Sequence, residues 1–342
     1  METKIVKIDD KNIDIRALEC LGKIIRSGGL VAFPTETVYG LGADALNEDA
    51  VKKIFEAKNR PADNPLIVHF CEISGISEVA HLTDAAKKVL EKFSPGPLTV
   101  ILKKKPTVGQ NVTAGLDTVA VRIPESKTAR AFIKAAGRPI AAPSANLSGK
   151  PSPTRFVDVF EDMSGRVDAI IDGADCSVGV ESTVLDMTGE KPVILRPGGV
   201  TLKEIQEILP DAEVDRHVLE AVSKDETPKS PGMKYKHYAP DAEVYVIEGD
   251  TKNTNEKIRE LLAENRDKKV GVFSLGESFP ADCVIYAGCD NKEYAKNLFA
   301  ALREFDRRGM DIVFAQFKND DDYGLAVKNR LYKSAANRVF RV

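Results

Sequence analysis

Residues Gly28 to Ala45 read GGLVAFPTETVYGLGADA, and the fold turns on how this stretch is read. Leu30, Val31, Ala32 and Phe33 predict a buried strand that breaks at Pro34. Thr35, Glu36 and Thr37 then place three oxygen-bearing side chains on a turn where packing gains little from them. Gly40 and Gly42 predict further backbone bends as the chain moves toward a helix. A strand that ends in a polar turn before a helix is where α/β proteins place ligands.

Working outward, strand and helix patterns alternate along the chain. Leu18, Leu21 and Ile25 share one helical face before the Gly28-Gly29 stop, and Asn47 predicts an N-cap for a helix through Lys58. Strand patterns follow at Leu66–Phe70, in LTVIL after Pro97, in TVAVRI from Thr118, before Pro143, and at Ala169–Asp172, Ser182–Asp186 and Val193–Leu195. Thr201-Leu202-Lys203-Glu204 has the spacing of a capping box. From Asp211 to Pro240 charge rises, apolar periodicity fades and three prolines appear, which marks a domain boundary. The cluster Lys234, Tyr235, Lys236, His237, Tyr238 inside that stretch exceeds what a spacer needs. After Asp241 the alternation resumes and predicts a smaller Rossmann-like α/β domain. The expected division is 1–210, a linker over 211–240, and 241–342.

Composition narrows the function. A formal net charge of -3 over 342 residues argues against a general nucleic-acid coat. No apolar run approaches the ~20 residues of a membrane span, and METKIVKIDDKN has no signal-peptide core. Five scattered cysteines fit reduced thiols, so a cytoplasmic protein is expected. Neither the cysteines nor the four histidines show metal-ligand spacing.

The candidate chemistry lies at strand ends. Gly40-Leu41-Gly42-Ala43-Asp44-Ala45 matches G-x-G-x-x-A, but six residues separate it from its strand, unlike a dinucleotide fingerprint. Gly149-Lys150 lacks the upstream glycine of a P-loop. Lys58 and Arg60 close a helix, where cations suit the dipole; on one turn they also offer a point charge and a planar fork to a polyphosphate. Arg122 interrupts an apolar strand and needs either a structural carboxylate or an anionic ligand. His69 alone reads as a core residue. Ser144, Asn146 and Ser182, together with Thr35, Arg122 and Arg196, converge on adjoining strand ends as in a small-molecule cleft. No nucleophile–base arrangement stands out, and positioning with charge neutralisation at phosphorus needs none.

FPTETVYGLGADA, KNRPADNPLIVH, SPGPLTVIL, TVAVRIP, APSANLSGKPSPT, ESTVLD and ILRPGG together resemble the YrdC/Sua5 family, the threonylcarbamoyl-AMP synthases, in its long form with a C-terminal domain. The resemblance spans essentially the whole chain. It implies a twisted open mixed sheet with helices around a cationic cavity, and condensation of L-threonine, bicarbonate or CO2, and ATP into L-threonylcarbamoyl-adenylate and pyrophosphate. A separate transferase complex would pass the group to adenosine 37 of tRNA as t6A, and whether tRNA touches this chain is left open by the sequence. Mg2+ would accompany ATP, with no protein metal ligands. Matched onto this sequence, Thr35, His69, Arg122 and Ser182 would contact threonine. Lys58 and Arg60 would hold the phosphates and act in catalysis. Thr118, Ser144, Asn146, Ser152 and Arg196 would serve the nucleotide, with Tyr235, His237 and Tyr238 closing over it from the linker. Two rivals are a double-stranded RNA or tRNA binder and a carbamoyl-transfer relative of hydrogenase-maturation proteins. Overall acidity counts against the first, and the lack of acylphosphatase and zinc-finger segments against the second.

Overall fold

The structure, a computed structural model, describes residues 2–218, 238–318 and 321–342. They form two compact units: residues up to 148 with 153–218, and 149–152 with the described residues from 238 onward.

In chain order the first unit's strands are β1 Lys4–Lys7, β2 Val31–Phe33, β3 Gly40–Asp44, β4 Ile67–His69, β5 Leu98–Lys103 and β6 Thr118–Arg122. They continue with β7 Ile140–Ala142, β8 Ala169–Asp172, β9 Thr183–Asp186, β10 Val193–Arg196 and β11 Glu213–Val214. All join one mixed sheet in the order β1-β8-β2-β3-β7-β4-β6-β5-β9-β10-β11. The short edge strand β11 pairs with β10 in parallel, so the sheet runs into the stretch read from sequence as the start of the linker. Helices begin where local chemistry predicts. Asn47 accepts from the amides of Asp49 and Ala50, Thr83 from that of Ala86, and Thr201 and Glu204 make the reciprocal capping box. Leu41, Val68, Val100, Val121 and Leu185, all buried, belong to the main core of this unit.

The opening stretch departs from its sequence reading. Gly40 and Gly42 are not bends on the way to a helix: they lie in β3, which pairs antiparallel with β2 in the register Phe33↔Gly40 and Val31↔Gly42. The reason is steric. A Cβ on Gly40 would sit 3.1 Å from the Phe33 ring, and one on Gly42 would sit 2.7 Å from Ile140 Cγ2. The glycines leave the face of β3 bare so that Phe33 can lie across it.

The second unit holds β12 Glu243–Glu248, β13 Val270–Ser274, β14 Cys283–Tyr286, β15 Ile312–Phe317 and β16 Val339–Arg341. Their order is β14-β13-β15-β12-β16, and every pairing is parallel. This is the Rossmann-like alternation read from the sequence, with β16 added after the last helix. Among the described residues, no helix is long and apolar enough to cross a membrane.

Candidate active site

Strand register assembles the site. His69 on β4 is opposite Arg122 on β6, Arg122 opposite Thr99 on β5, Thr99 opposite Val184 on β9, and Val184 opposite Arg196 on β10. Residues directly opposite one another share a face of the sheet, so this row carries four polar side chains across five neighbouring strands. Ser182 stands two residues before Val184, the spacing that keeps it on the same face. Its hydroxyl lies 2.7 Å from that of Thr99 and accepts from Arg196 Nη2 at 3.2 Å. Arg196 also donates Nε and Nη2 to the Ser182 carbonyl, at 3.1 and 3.0 Å.

The β2–β3 turn reaches the row through a residue that sequence reading passed over. β2 does not adjoin β4, because β3 and β7 lie between them. Glu36 makes the connection: its Oε1 accepts from Arg122 Nη2 at 2.6 Å with both side chains 4% exposed, and its Oε2 accepts from the Glu125 amide at 3.0 Å. The structural carboxylate that Arg122 required is therefore present. Arg122 Nε faces the Gly96 carbonyl at 3.4 Å, which leaves Nη1 without a hydrogen-bond partner among the described residues. Thr35, next to Glu36, is buried; its hydroxyl donates to the Val38 carbonyl at 2.6 Å and accepts from the amides of Thr37 and Val38. This hydroxyl-centred turn fixes the loop that delivers Glu36.

His69 has its ring edge-on to Phe33 at 6.1 Å, with Nδ1 3.1 Å from the Ile67 carbonyl. Burial, and secondarily the Arg122 charge, push its pKa down to about 3, so the imidazole is neutral at physiological pH.

A second cluster lies where helix Glu48–Lys58 ends. Asn59 takes up the left-handed conformation and stops the helix, placing Lys58 in its last turn. The ammonium is 2% exposed and donates to the carbonyls of Ser144 and Asn146, each at 2.5 Å. Ser144 Oγ donates to Asn146 Oδ1 at 2.5 Å, and the Ser148 amide to the Lys58 carbonyl at 2.9 Å. Lys58, Ser144 and Asn146 therefore form one cluster. Arg60 Nη2 reaches the Asn64 carbonyl at 3.1 Å, across the loop it belongs to. Asn64 is a further feature that sequence reading missed: its amide is buried, and neither Nδ2 nor Oδ1 has a hydrogen-bond partner. Thr118 is half-buried at the start of β6, opposite Lys103. Ser152 is buried and falls in the second unit with Gly149–Ser152. Tyr235 and His237 lie outside the described residues. Tyr238 is described: it is buried and stacked on Phe299 at 5.1 Å. Among the described residues, no group of three His, Cys, Asp or Glu could hold a metal ion.

A strand row carrying Arg122, Arg196 and the neutral His69 imidazole, with the buried Lys58 ammonium at a helix end, in a unit built on a mixed sheet, and a second unit built on a parallel sheet, define a two-unit α/β protein. Known proteins carry the same plan. The family profile of Sua5, YciO and YrdC, described as telomere recombination, matches residues 23–198, and that of the threonylcarbamoyl-AMP synthase C-terminal domain matches residues 200–336. Threonylcarbamoyl-AMP synthases of Pyrococcus abyssi and Bacillus subtilis are 50% and 46% identical to the chain. Each alignment covers 93% of this chain, with 94% of the first relative and 92% of the second. The crystal structure of P. abyssi Sua5 complexed with L-threonine superposes with a TM-score of 0.96 at 47% identity, covering 99% of this chain and all of that one. The chain belongs to the Sua5/YciO/YrdC family, in its long form with the Sua5 C-terminal domain.

Proposed function

We propose that the chain condenses L-threonine, bicarbonate or CO2, and ATP into L-threonylcarbamoyl-adenylate and pyrophosphate, working in the cytoplasm. The observation that carries this reading is the row His69–Arg122–Thr99–Arg196 with Ser182 and the Glu36 connection. In it His69 and Thr99 are opposite Arg122, Ser182 bonds Thr99, and Glu36, next to Thr35, pairs with an Arg122 guanidinium that has a terminal nitrogen to spare among the described residues. That nitrogen suits the amino acid's carboxylate, with Glu36 holding the fork in its plane. The neutral His69 adds a hydrogen-bonding group without a second positive charge.

The amine of threonine and bicarbonate first give an N-carboxy carbamate, with loss of water. A carbamate oxygen then attacks the α-phosphorus of ATP in line, and pyrophosphate leaves with the electron pair of the broken P–O bond. Lys58, Arg60 and Arg196 stabilise the charge that develops on the phosphates. Thr118, Ser144, Asn146 and Ser152 orient the nucleotide. Mg2+ held by the ATP phosphates would supply further charge neutralisation. A separate transferase complex then takes the adenylate to adenosine 37 of tRNA, giving t6A.

Purified protein should release pyrophosphate from ATP only when threonine and bicarbonate are both present; release without either overturns the reaction. Lys58→Ala should slow release about a hundredfold, roughly 3 kcal/mol of lost transition-state stabilisation. A full rate in that variant removes Lys58 from the mechanism.

A further inference from the structure

Helix Asn291–Arg307 buries an apolar face of Tyr294, Ala295, Leu298, Phe299, Leu302 and Phe305, and among them stands Arg303, 4% exposed. An arginine in an interior is rare unless its donors are engaged. Here the guanidinium donates Nε and Nη2, at 3.1 and 2.7 Å, to one acceptor, the carbonyl of Pro151, 152 residues upstream. Phe299, Arg303 and Asp306 follow the four-then-three spacing that lines up side chains along one helical face. The three hold different parts of the chain. Phe299 stacks on Tyr238, Arg303 forks onto Pro151, and Asp306 Oδ1 accepts from the amides of Asp241 and Ala242 at 2.9 and 3.1 Å. The two captured segments also meet directly, the Ala239 amide donating to the Gly149 carbonyl at 2.9 Å.

Gly149–Ser152 is the continuation of the turn in which Ser144 and Asn146 meet the Lys58 ammonium. We infer that Arg303 is a positioning residue for the nucleotide: by fixing the Pro151 carbonyl within the second unit it sets the placement of the adjoining Ser152. The clamp acts on ATP rather than on threonine, because none of the threonine-side residues belongs to the clamped segments. This inference rests on the nucleotide role proposed for Ser152.

The test varies ATP and threonine separately in pyrophosphate release by the full-length chain. Arg303→Met should raise KM for ATP about tenfold and leave KM for threonine within about twofold. Arg303→Lys should raise KM for ATP about threefold, since an ammonium can reach the carbonyl but cannot fork onto it. An unchanged KM for ATP in folded Arg303→Met overturns the inference, as does an equal rise for both substrates, the mark of general loosening. Should Arg303→Met fail to fold, the same split in Arg303→Lys decides. Calorimetric ATP binding by wild type and variant separates this inference from the reaction it rests on. If wild type binds ATP but releases no pyrophosphate, the reaction is wrong, while about tenfold weaker ATP binding by the variant still supports the clamp and equal binding overturns it.

Discussion

Both sheets bury a polar side chain at their heart, and the two are satisfied differently. In the second unit Gln316, at the end of β15, is fully buried; its Nε2 donates to Thr254 Oγ1 at 2.7 Å and Asn255 Oδ1 at 2.5 Å, and its Oε1 accepts from the Leu275 amide at 2.9 Å. Both amide hydrogens and the carbonyl oxygen are engaged inside its own unit. In the first unit Arg122 is just as deeply placed, yet Glu36 and Gly96 engage only two of its nitrogens. A buried polar group with its bonds complete is a fastener, whereas one with a donor left over has been kept for something that arrives. The parallel sheet thus reads as scaffold and the mixed sheet as site, although the strand-end location favoured for ligands occurs in both.

The largest effect should come from breaking the Glu36–Arg122 pair. Arg122→Met leaves a buried carboxylate without its cation and should lower unfolding free energy in urea by about 3–5 kcal/mol. The double variant Glu36→Gln/Arg122→Met should recover much of that loss while remaining inactive. A single variant as stable as wild type would mean that the pair is not the fastener that shapes the turn. Next in size, Gln316→Ala strands three partners and should cost about 1–3 kcal/mol, with pyrophosphate release per folded molecule unchanged. If that variant loses catalysis, the parallel sheet is more than scaffold and the contrast fails.

The smallest effect concerns pH. His69 is held neutral in the fold, with a pKa of about 3 against an ordinary 6.5, so below pH 6.5 the unfolded chain takes up a proton that the folded chain refuses. The stability contributed by the neutral form is complete above pH 6.5 and is lost as pH falls toward 3, by about 1.4 kcal/mol per unit. Comparing wild type with His69→Gln in urea at pH 6.5, 5.5 and 4.5 should show the difference between them shrinking at that slope. A constant difference would place His69 in a wetter setting than the one seen beside Phe33.

Much of this was legible because each strand-end polar residue breaks an apolar run. Arg122 in TVAVRI and Ser182 before TVLD stand out in this way, while Lys58 is marked instead by its place at a helix end before a proline turn. Glu36 escaped because a glutamate in a polar turn is ordinary until its partner is known. The clue was Arg122 itself, an inner-strand cation that called for either a carboxylate or an anionic ligand. Thr99 lies inside LTVIL, where a β-branched residue suits a strand by shape alone, and only the register that puts it opposite Arg122 reveals its hydroxyl as part of the row. Gly40 and Gly42 were misread because glycine in a strand usually means a bend, and nothing local announces that Phe33 needs the space. Arg303 was hidden by its setting: in LFAALREFDR an arginine at helical spacing reads as a solvated face. Long-range pairings of this kind leave no periodic trace.

The Gly149–Ser152 segment has a consequence for how such a chain can be recombined. Read along the gene, the second unit looks like a cassette that begins near residue 238 and could be moved to another host in one piece. In space it also includes four residues encoded far upstream. A splice at the apparent seam would deliver Arg303 without the carbonyl on which it forks. The tetrapeptide and the helix that grips it can change hands only together, which binds two distant stretches of coding sequence into one heritable part.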